Sequence, residues 1–382
     1  MRSPNIRYLP AVDHLRAYAA LLIVLYHGLH LFAYFARFHQ PFGIDHWLQP
    51  GNVVAAALTE GHTAVALFMV LSGFILTHGS LDTDLDARGF LRNRLLRTYP
   101  LFLLLVFAGI AAAPGNFQWS SFLQTVFGFA NLPGALVAPP FSSMLWTIAV
   151  EWQFYVLFPL LLMILKRGWA KNLAGLVAVL ILFRWMAVVA GGNARDLAYT
   201  TIFGRLDQFL IGMAAAECFR RYPLSRRAGA WLAALSLASM VGALAAFNVA
   251  GGWPVVSTWK ILWPTFEGLI WAAFVIGYID LANDARGLWS RLLARIGEIS
   301  YSIYLIHFIV ITTMITFALP VVFSGHVVVD ALLNTLFFAL PATLLVSALT
   351  YRFIEWPFLR LRGRYRRDRP GAPVTPRTGP GE

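Results

Sequence analysis

Ten stretches of this 382-residue chain are apolar enough, over enough residues, to cross a bilayer as helices. That repetition constrains the fold more than any single motif. A spanning helix needs roughly 17–25 mostly apolar residues. The stretches lie at about 11–33, 62–80, 97–115, 144–165, 173–191, 200–219, 229–250, 261–282, 299–323 and 328–351. Composition agrees with them. Charged residues make up 13% of the chain, about half the ~25% share of an ordinary soluble domain. A soluble surface of this size could not be covered with so little charge. Disorder is excluded by 15% aromatics and long Leu/Val/Ala/Phe runs. The sequence therefore specifies an all-α integral membrane protein, a bundle of about ten transmembrane helices.

Loop charge fixes the expected topology. Arg2 and Arg7 precede the first stretch, as in a secretory leader. That stretch nevertheless carries Asp13, His14 and Arg16, and no small-x-small cleavage pattern follows it, so it is expected to be retained. With the N-terminus in the cytoplasm, the inner segments hold Arg88/Arg92/Arg94/Arg97, Lys166/Arg167/Lys171, Arg220/Arg221/Arg226/Arg227 and Arg286/Arg291/Arg295. The outer loops keep Arg37, Arg195 and Lys260. This is the positive-inside bias, and it puts both termini in the cytoplasm. The stretch 117–139 is broken by Pro133, Pro139 and Pro140. Counting it as a span would invert every later loop, so it is expected to be re-entrant or interfacial.

No loop is long enough for a second soluble domain. The membrane domain is expected over 1–358, and a basic, Pro/Gly-rich tail at 359–382 is expected to be disordered and to touch lipid. The net charge of +12 comes from arginine, with lysine only at 166, 171 and 260. These residues read as topology signals and contacts to anionic membrane lipids, not as a nucleic-acid surface. The single Cys218 rules out an internal disulfide and a four-thiolate metal site. No metal and no permanently bound cofactor is expected.

Ionisable side chains inside a span are costly and so become functional candidates. Arg16 and His27 share the first helix. Eleven residues advance ~16.5 Å and return to within about 20° of the same face. Arg16 then sits near the inner end and His27 in the outer half, on one stripe. Histidine is the side chain best suited to exchange protons near neutral pH; the alternative is a histidine bonded between helices. Glu151, in the string Trp146 to Tyr155, comes to a similar depth by count. It suits either a base and acid pair with His27 or an ion pair that fixes packing. Arg94 and Arg97 are spaced i, i+3 and face one way. Their forked guanidiniums suit a phosphate-bearing ligand, or else form an ordinary positive-inside cluster. Arg205 and Asp207 in the sixth stretch read as charge compensation. His307 reads as a structural hydrogen bond, and Arg352 with Glu355 as a helix-end salt bridge.

Six strings in order resemble the membrane-bound acyltransferase-3 family of bacterial O-acyltransferases. They are Leu15-Arg16 followed by His27 with Asp13 just before, Phe68 to Leu76, Arg94 to Pro100, Trp146 to Tyr155, Ser300 to His307, and Ile354 to Phe358. The resemblance implies a ten-helix domain in the bacterial cytoplasmic (inner) membrane. It would take an acyl group, most simply acetyl, from acyl-CoA as co-substrate and pass it to a hydroxyl of a glycan, lipid-linked sugar or small molecule. By motif position His27 looks like the essential histidine, Arg16 its partner, and Arg94 and Arg97 the pair that meets the donor. Ser72, Trp146, Tyr155, Arg205 and Asp207 are supporting candidates, and Arg16, Ser72 or Trp146 candidates for oxyanion stabilisation. Trp356 stands where an arginine is common, so no ligand role is carried to that end. Arg94, Arg97, Arg16 and His27 are expected to line a single tunnel for the donor's arm, with Glu151 assisting His27. Two rival readings are a proton-coupled transporter or flippase, and a subunit whose polar residues only hold helices together. No internal repeat of the transporter kind is visible in the sequence.

Overall fold

Hydrocarbon offers no hydrogen-bond partners, so backbone within it must satisfy itself, and helices do so. The computed structural model describes Asn5 and residues 8–368. Its helices are Pro10–Phe38 (α1), Val53–Thr59 (α2), Thr63–His78 (α3), Ala87–Ala112 (α4), Trp119–Gln124 (α5), Leu145–Val189 (α6), Ala194–Thr200 (α7), Ile202–Arg221 (α8), Arg226–Val249 (α9), Trp263–Ala282 (α10), Leu288–Glu298 (α11), Ser300–Thr316 (α12), Val327–Asn334 (α13), Leu340–Thr350 (α14) and Trp356–Leu359 (α15). Two short strands, Thr83–Leu85 (β1) and Arg366–Asp368 (β2), pair antiparallel. Polar side chains start several helices by accepting the first free N–H groups: Asn52 for α2, Asp86 for α4, Asn193 for α7, Thr201 for α8 and Ser225 for α9.

The chain is a multi-pass membrane protein, and each of the ten stretches falls on helix. Six helical runs are apolar and long enough to cross a membrane: α1, α4, α6, α9, α10 and the rod Val327–Leu359. The number rises to eight if α2 with α3 (bent by 68°) and α11 with α12 (bent by 70°) each count as one span. Two physical reasons separate these numbers from ten. The 45-residue α6 joins two of the stretches, and its backbone leaves the helix at Gly168, where φ is 171° and ψ 77°. Helix α8 covers the 200–219 stretch but carries Arg205, Asp207 and Glu217. The segment 117–139 forms no candidate span. It holds the six-residue α5 and one wide turn, Thr125–Phe129.

Helix α1 is the most enclosed of the six runs and packs against α3, α11, α12 and α13. Close approach elsewhere is set by glycine. A Cβ on Gly73 of α3 would strike the carbonyl oxygen of Phe209, and one on Gly212 of α8 would strike that of Val70. The two helices thus meet backbone to backbone, as small residues allow in membranes. Gly297, at the end of α11, abuts the Asp13 carbonyl in the same way.

The tail departs from expectation. Residues 360–368 are ordered: the sheet of β1 with β2 and the buried side chain of Tyr365 hold them to the bundle. The rest of the tail, 369–382, lies outside the described residues.

Gly73→Ala or Gly212→Ala should force α3 and α8 apart and cost about 1–3 kcal/mol. A lowered thermal midpoint of the purified protein is the expected result; an unchanged midpoint would contradict this crossing.

Candidate active site

Two chambers lie along α1. The inner one, named for its place toward the N-terminal end of α1, is lined by Arg16, Arg94, Arg97, Ser72, Thr98, Glu151, Tyr155 and Tyr301 among others. The outer one, further along α1, holds His27, His30, Tyr26, Trp47, Ser143, Trp146, Tyr199, Trp253 and Phe308. Val65 and Tyr304 line both, so the two chambers adjoin there. The residues expected along a single tunnel are divided between these two adjoining cavities. Arg16 and His27 do lie along one helix, but each opens into its own chamber.

In the inner chamber three arginines converge from two helices. Arg16 is held by Asp13, one turn before it, at 3.1 Å. Arg97 reaches across to Glu355 at 3.0 Å and lies 5.5 Å over the Tyr301 ring. Arg94 has no carboxylate partner among the described residues. Its guanidinium lies 5.7 Å from both the Phe90 and Tyr155 rings, and its buried Nε has no hydrogen-bond partner.

Glu151 belongs to this inner chamber. One carboxylate oxygen accepts from Ser72 Oγ at 3.1 Å and from Tyr155 OH at 2.5 Å. The expected pairing of Glu151 with His27 is thus not present: equal depth by residue count does not say which cavity a side chain faces, and Glu151 lines the inner one while His27 lines the outer one. Through Tyr155, Glu151 instead fixes the aromatic face on which Arg94 rests. The expected Arg352–Glu355 bridge is also absent. Residues Tyr351–Glu355 form a wide π turn. Glu355 is turned inward to Arg97 and Ser302, and Arg352 stacks 4.6 Å over Trp356.

In the outer chamber His27 meets His307 of α12, with 2.9 Å between His27 Nδ1 and His307 Nε2. The network assigns the protons. His307 Nδ1 lies 3.0 Å from the Ile303 carbonyl, an acceptor only, so it carries the hydrogen. With both rings neutral, His307 Nε2 must then accept from His27 Nδ1–H, which also faces the Ile23 carbonyl at 3.2 Å. The unprotonated atom of His27 is Nε2, and among the described residues no hydrogen bond occupies it. A histidine read from sequence as structural thus orients the one read as reactive. Trp146 shares this chamber; Arg16 and Ser72 do not.

The remaining candidates form a separate network. Arg205 and Asp207 do not pair with each other. Asp207 binds Arg184 at 2.9 Å, both fully buried, and accepts from Thr265. Arg205 faces Glu267 at 3.5 Å, with Gln208 bonded to both. Arg184 and Glu267 escaped the sequence reading, although the same rule that singled out Arg205 applies to any charge within an apolar run. Glu60 and His62, a buried pair at 3.0 Å, were also missed. They sit at the bend between α2 and α3, where Glu60 also accepts from Trp47 and Asn248.

The fold and the two chambers define a multi-pass membrane protein with an arginine-lined and a histidine-lined cavity set back to back. The chain belongs to the Acyl_transf_3 family, described as an acyltransferase domain, whose model matches residues 9–352. It is an acyltransferase, which decides against the transporter reading. It is 27% identical over 334 residues to the acyltransferase MdmB of Streptomyces mycarofaciens, covering 81% of this chain and 80% of that protein. It is 26% identical over 400 residues to the O-acetyltransferase OatA of Staphylococcus aureus, covering 95% of this chain. The match spans 58% of OatA's own length. No solved structure matches the chain.

Replacing Arg184 by Met leaves Asp207 buried and unanswered, which should cost about 3–5 kcal/mol. The double variant Arg184→Met/Asp207→Asn should recover most of that loss. Thermal midpoints of the three proteins check it; equal midpoints for the single variant and the native protein would show that the pair is not structural.

Proposed function

We propose that this protein is a ten-span O-acyltransferase of the bacterial inner membrane, with both termini cytoplasmic, that carries an acyl group from acyl-CoA to an acceptor hydroxyl. The observation that carries the reading is the division of chemistry between two cavities. Guanidiniums gather where an anionic donor head would bind, and an imidazole with a free nitrogen stands where a hydroxyl would need a base.

The donor's phosphates are assigned to Arg94 and Arg97, with Arg16 further along α1. Forked guanidiniums are suited to phosphate oxygens, and Arg94 in particular has charge to spare. The pantetheine arm would follow α1 toward Val65 and Tyr304, a distance comparable to the ~16.5 Å between Arg16 and His27 along the helix. The acceptor enters the outer chamber, whose aromatic walls suit a sugar ring or another flat, hydroxylated molecule. MdmB and OatA by their names transfer acyl groups, in OatA's case acetyl to oxygen, and this supports the same reaction class here.

His27 Nε2 takes the acceptor hydroxyl proton as the oxygen attacks the thioester carbon. The carbon–sulfur bond breaks, and the sulfur leaves as the thiol of coenzyme A after receiving that proton from the imidazolium. His307 holds His27 in the tautomer this step requires, a positioning role. Trp146, in the same chamber, is the candidate donor to the developing oxyanion. The acyl group would meet the acceptor where the two chambers adjoin, beside Val65 and Tyr304.

The test is transfer of label from radiolabelled acetyl-CoA to an acceptor extract by the purified protein. His27→Ala should lose about 10²–10⁴-fold in turnover, and His307→Ala roughly 10²-fold through misplacement of the base. Neither should change the KM for acetyl-CoA. Turnover that survives unchanged in His27→Ala would sink the mechanism.

A further inference from the structure

The ordered end of the chain runs back across α4 beside the arginines. Gly363 is clamped there. Its carbonyl accepts from Asn93 Nδ2 at 2.7 Å and Asn5 Nδ2 at 2.9 Å, and its N–H donates to Asn93 Oδ1 at 3.1 Å. Two residues on, the Tyr365 N–H donates to Asn5 Oδ1 at 2.9 Å, and its carbonyl accepts from the Asp86 N–H at 2.8 Å. The Tyr365 ring meets Phe90 edge-on at 5.5 Å, and Phe90 is one of the two rings that carry Arg94. Strand β2 then closes onto β1. Five hydrogen bonds and one ring contact thus hold Gly363 and Tyr365 to Asn5 and to the start of α4.

This strap positions Arg362. Gly363, the next residue, is bonded to Asn93, four residues before Arg97 on α4, and Arg362 lies within electrostatic reach of Arg97 and Arg94. Only its Nε is engaged, donating to the Leu359 carbonyl at 3.1 Å, and no carboxylate pairs with it among the described residues. Burial and the neighbouring charges of Arg97 and Arg94 pull its pKa down to about 10. Glu355 answers Arg97, whereas Arg94 and Arg362, like Arg92 beside Gly363, have no carboxylate partner among the described residues. Guanidiniums gathered without carboxylates suit a polyanionic ligand.

We propose that Arg362 binds the 3′-phosphate of the coenzyme A head, the phosphate furthest from the thioester, while Arg94 and Arg97 take the diphosphate. The assignment rests on the acyl-CoA reading and adds a specificity to it. The donor is recognised by a residue from the very end of the membrane domain, and the enzyme discriminates coenzyme A from its 3′-dephospho form.

The experiment measures binding of coenzyme A and of 3′-dephospho-coenzyme A to the full chain in nanodiscs of neutral phosphatidylcholine, where anionic lipid cannot compete. The native protein should prefer coenzyme A. Arg362→Ala should weaken coenzyme A by roughly tenfold and leave the dephospho form unchanged, which also reports that the variant is folded. Arg362→Lys should keep part of the preference. Arg360→Ala, which removes a guanidinium stacked on Trp356, should alter neither ligand. Unchanged coenzyme A affinity in Arg362→Ala, or equal loss for both ligands, would overturn the assignment to the 3′-phosphate. A native protein that binds neither nucleotide would instead overturn the acyl-CoA reading itself.

Discussion

A charge or a proton-exchanging group persists inside a hydrocarbon layer only where another group answers it, and the polar residues of this bundle sort themselves by that constraint. Arg184 is answered by Asp207, and Arg205 by Glu267 with Gln208 between them. Glu60 is answered by His62, Trp47 and Asn248, and Arg97 by Glu355. These groups tie α2, α3, α4, α6, α8 and α10 to one another and to the C-terminal rod. Two groups outside this pairing face the chambers: the guanidinium of Arg94, resting on two rings, and Nε2 of His27.

The two chambers adjoin at Val65 and Tyr304, which line both. Helix α1 serves both, with Arg16 in one and His27 in the other. Its enclosure by α3, α11, α12 and α13 explains how two distant groups can stay in register. Glu151 then has a role on the arginine side. It braces Tyr155, and Tyr155 supports Arg94.

Much of this was legible in the sequence, and the reasons for the exceptions are physical. Apolar length found the long helices, each stretch falling on helix, though not the short α2, α5, α7 and α11, and Arg16 and His27 do share α1. Depth by counting residues failed for Glu151, because depth says nothing of which face a helix turns to its neighbours. The i, i+3 pairing of Arg352 with Glu355 failed because a π turn widens the helix there, which no local pattern announced. His307 looked inert because the value of a histidine pair lies in a contact between residues 280 positions apart. The tail looked disordered by composition, yet residues 360–368 are held by asparagines and an aromatic ring from distant parts of the chain.

The account stands or falls on where the donor sits. An experimental structure of the protein with a non-hydrolysable acyl-CoA analogue addresses this directly. The phosphates should lie against Arg94 and Arg97, and the acyl end should reach Val65 and Tyr304 with the imidazole of His27 on the far side. A nucleotide head bound in the aromatic chamber beside His27, or an acyl chain leaving sideways into lipid without approaching Tyr304, would contradict it.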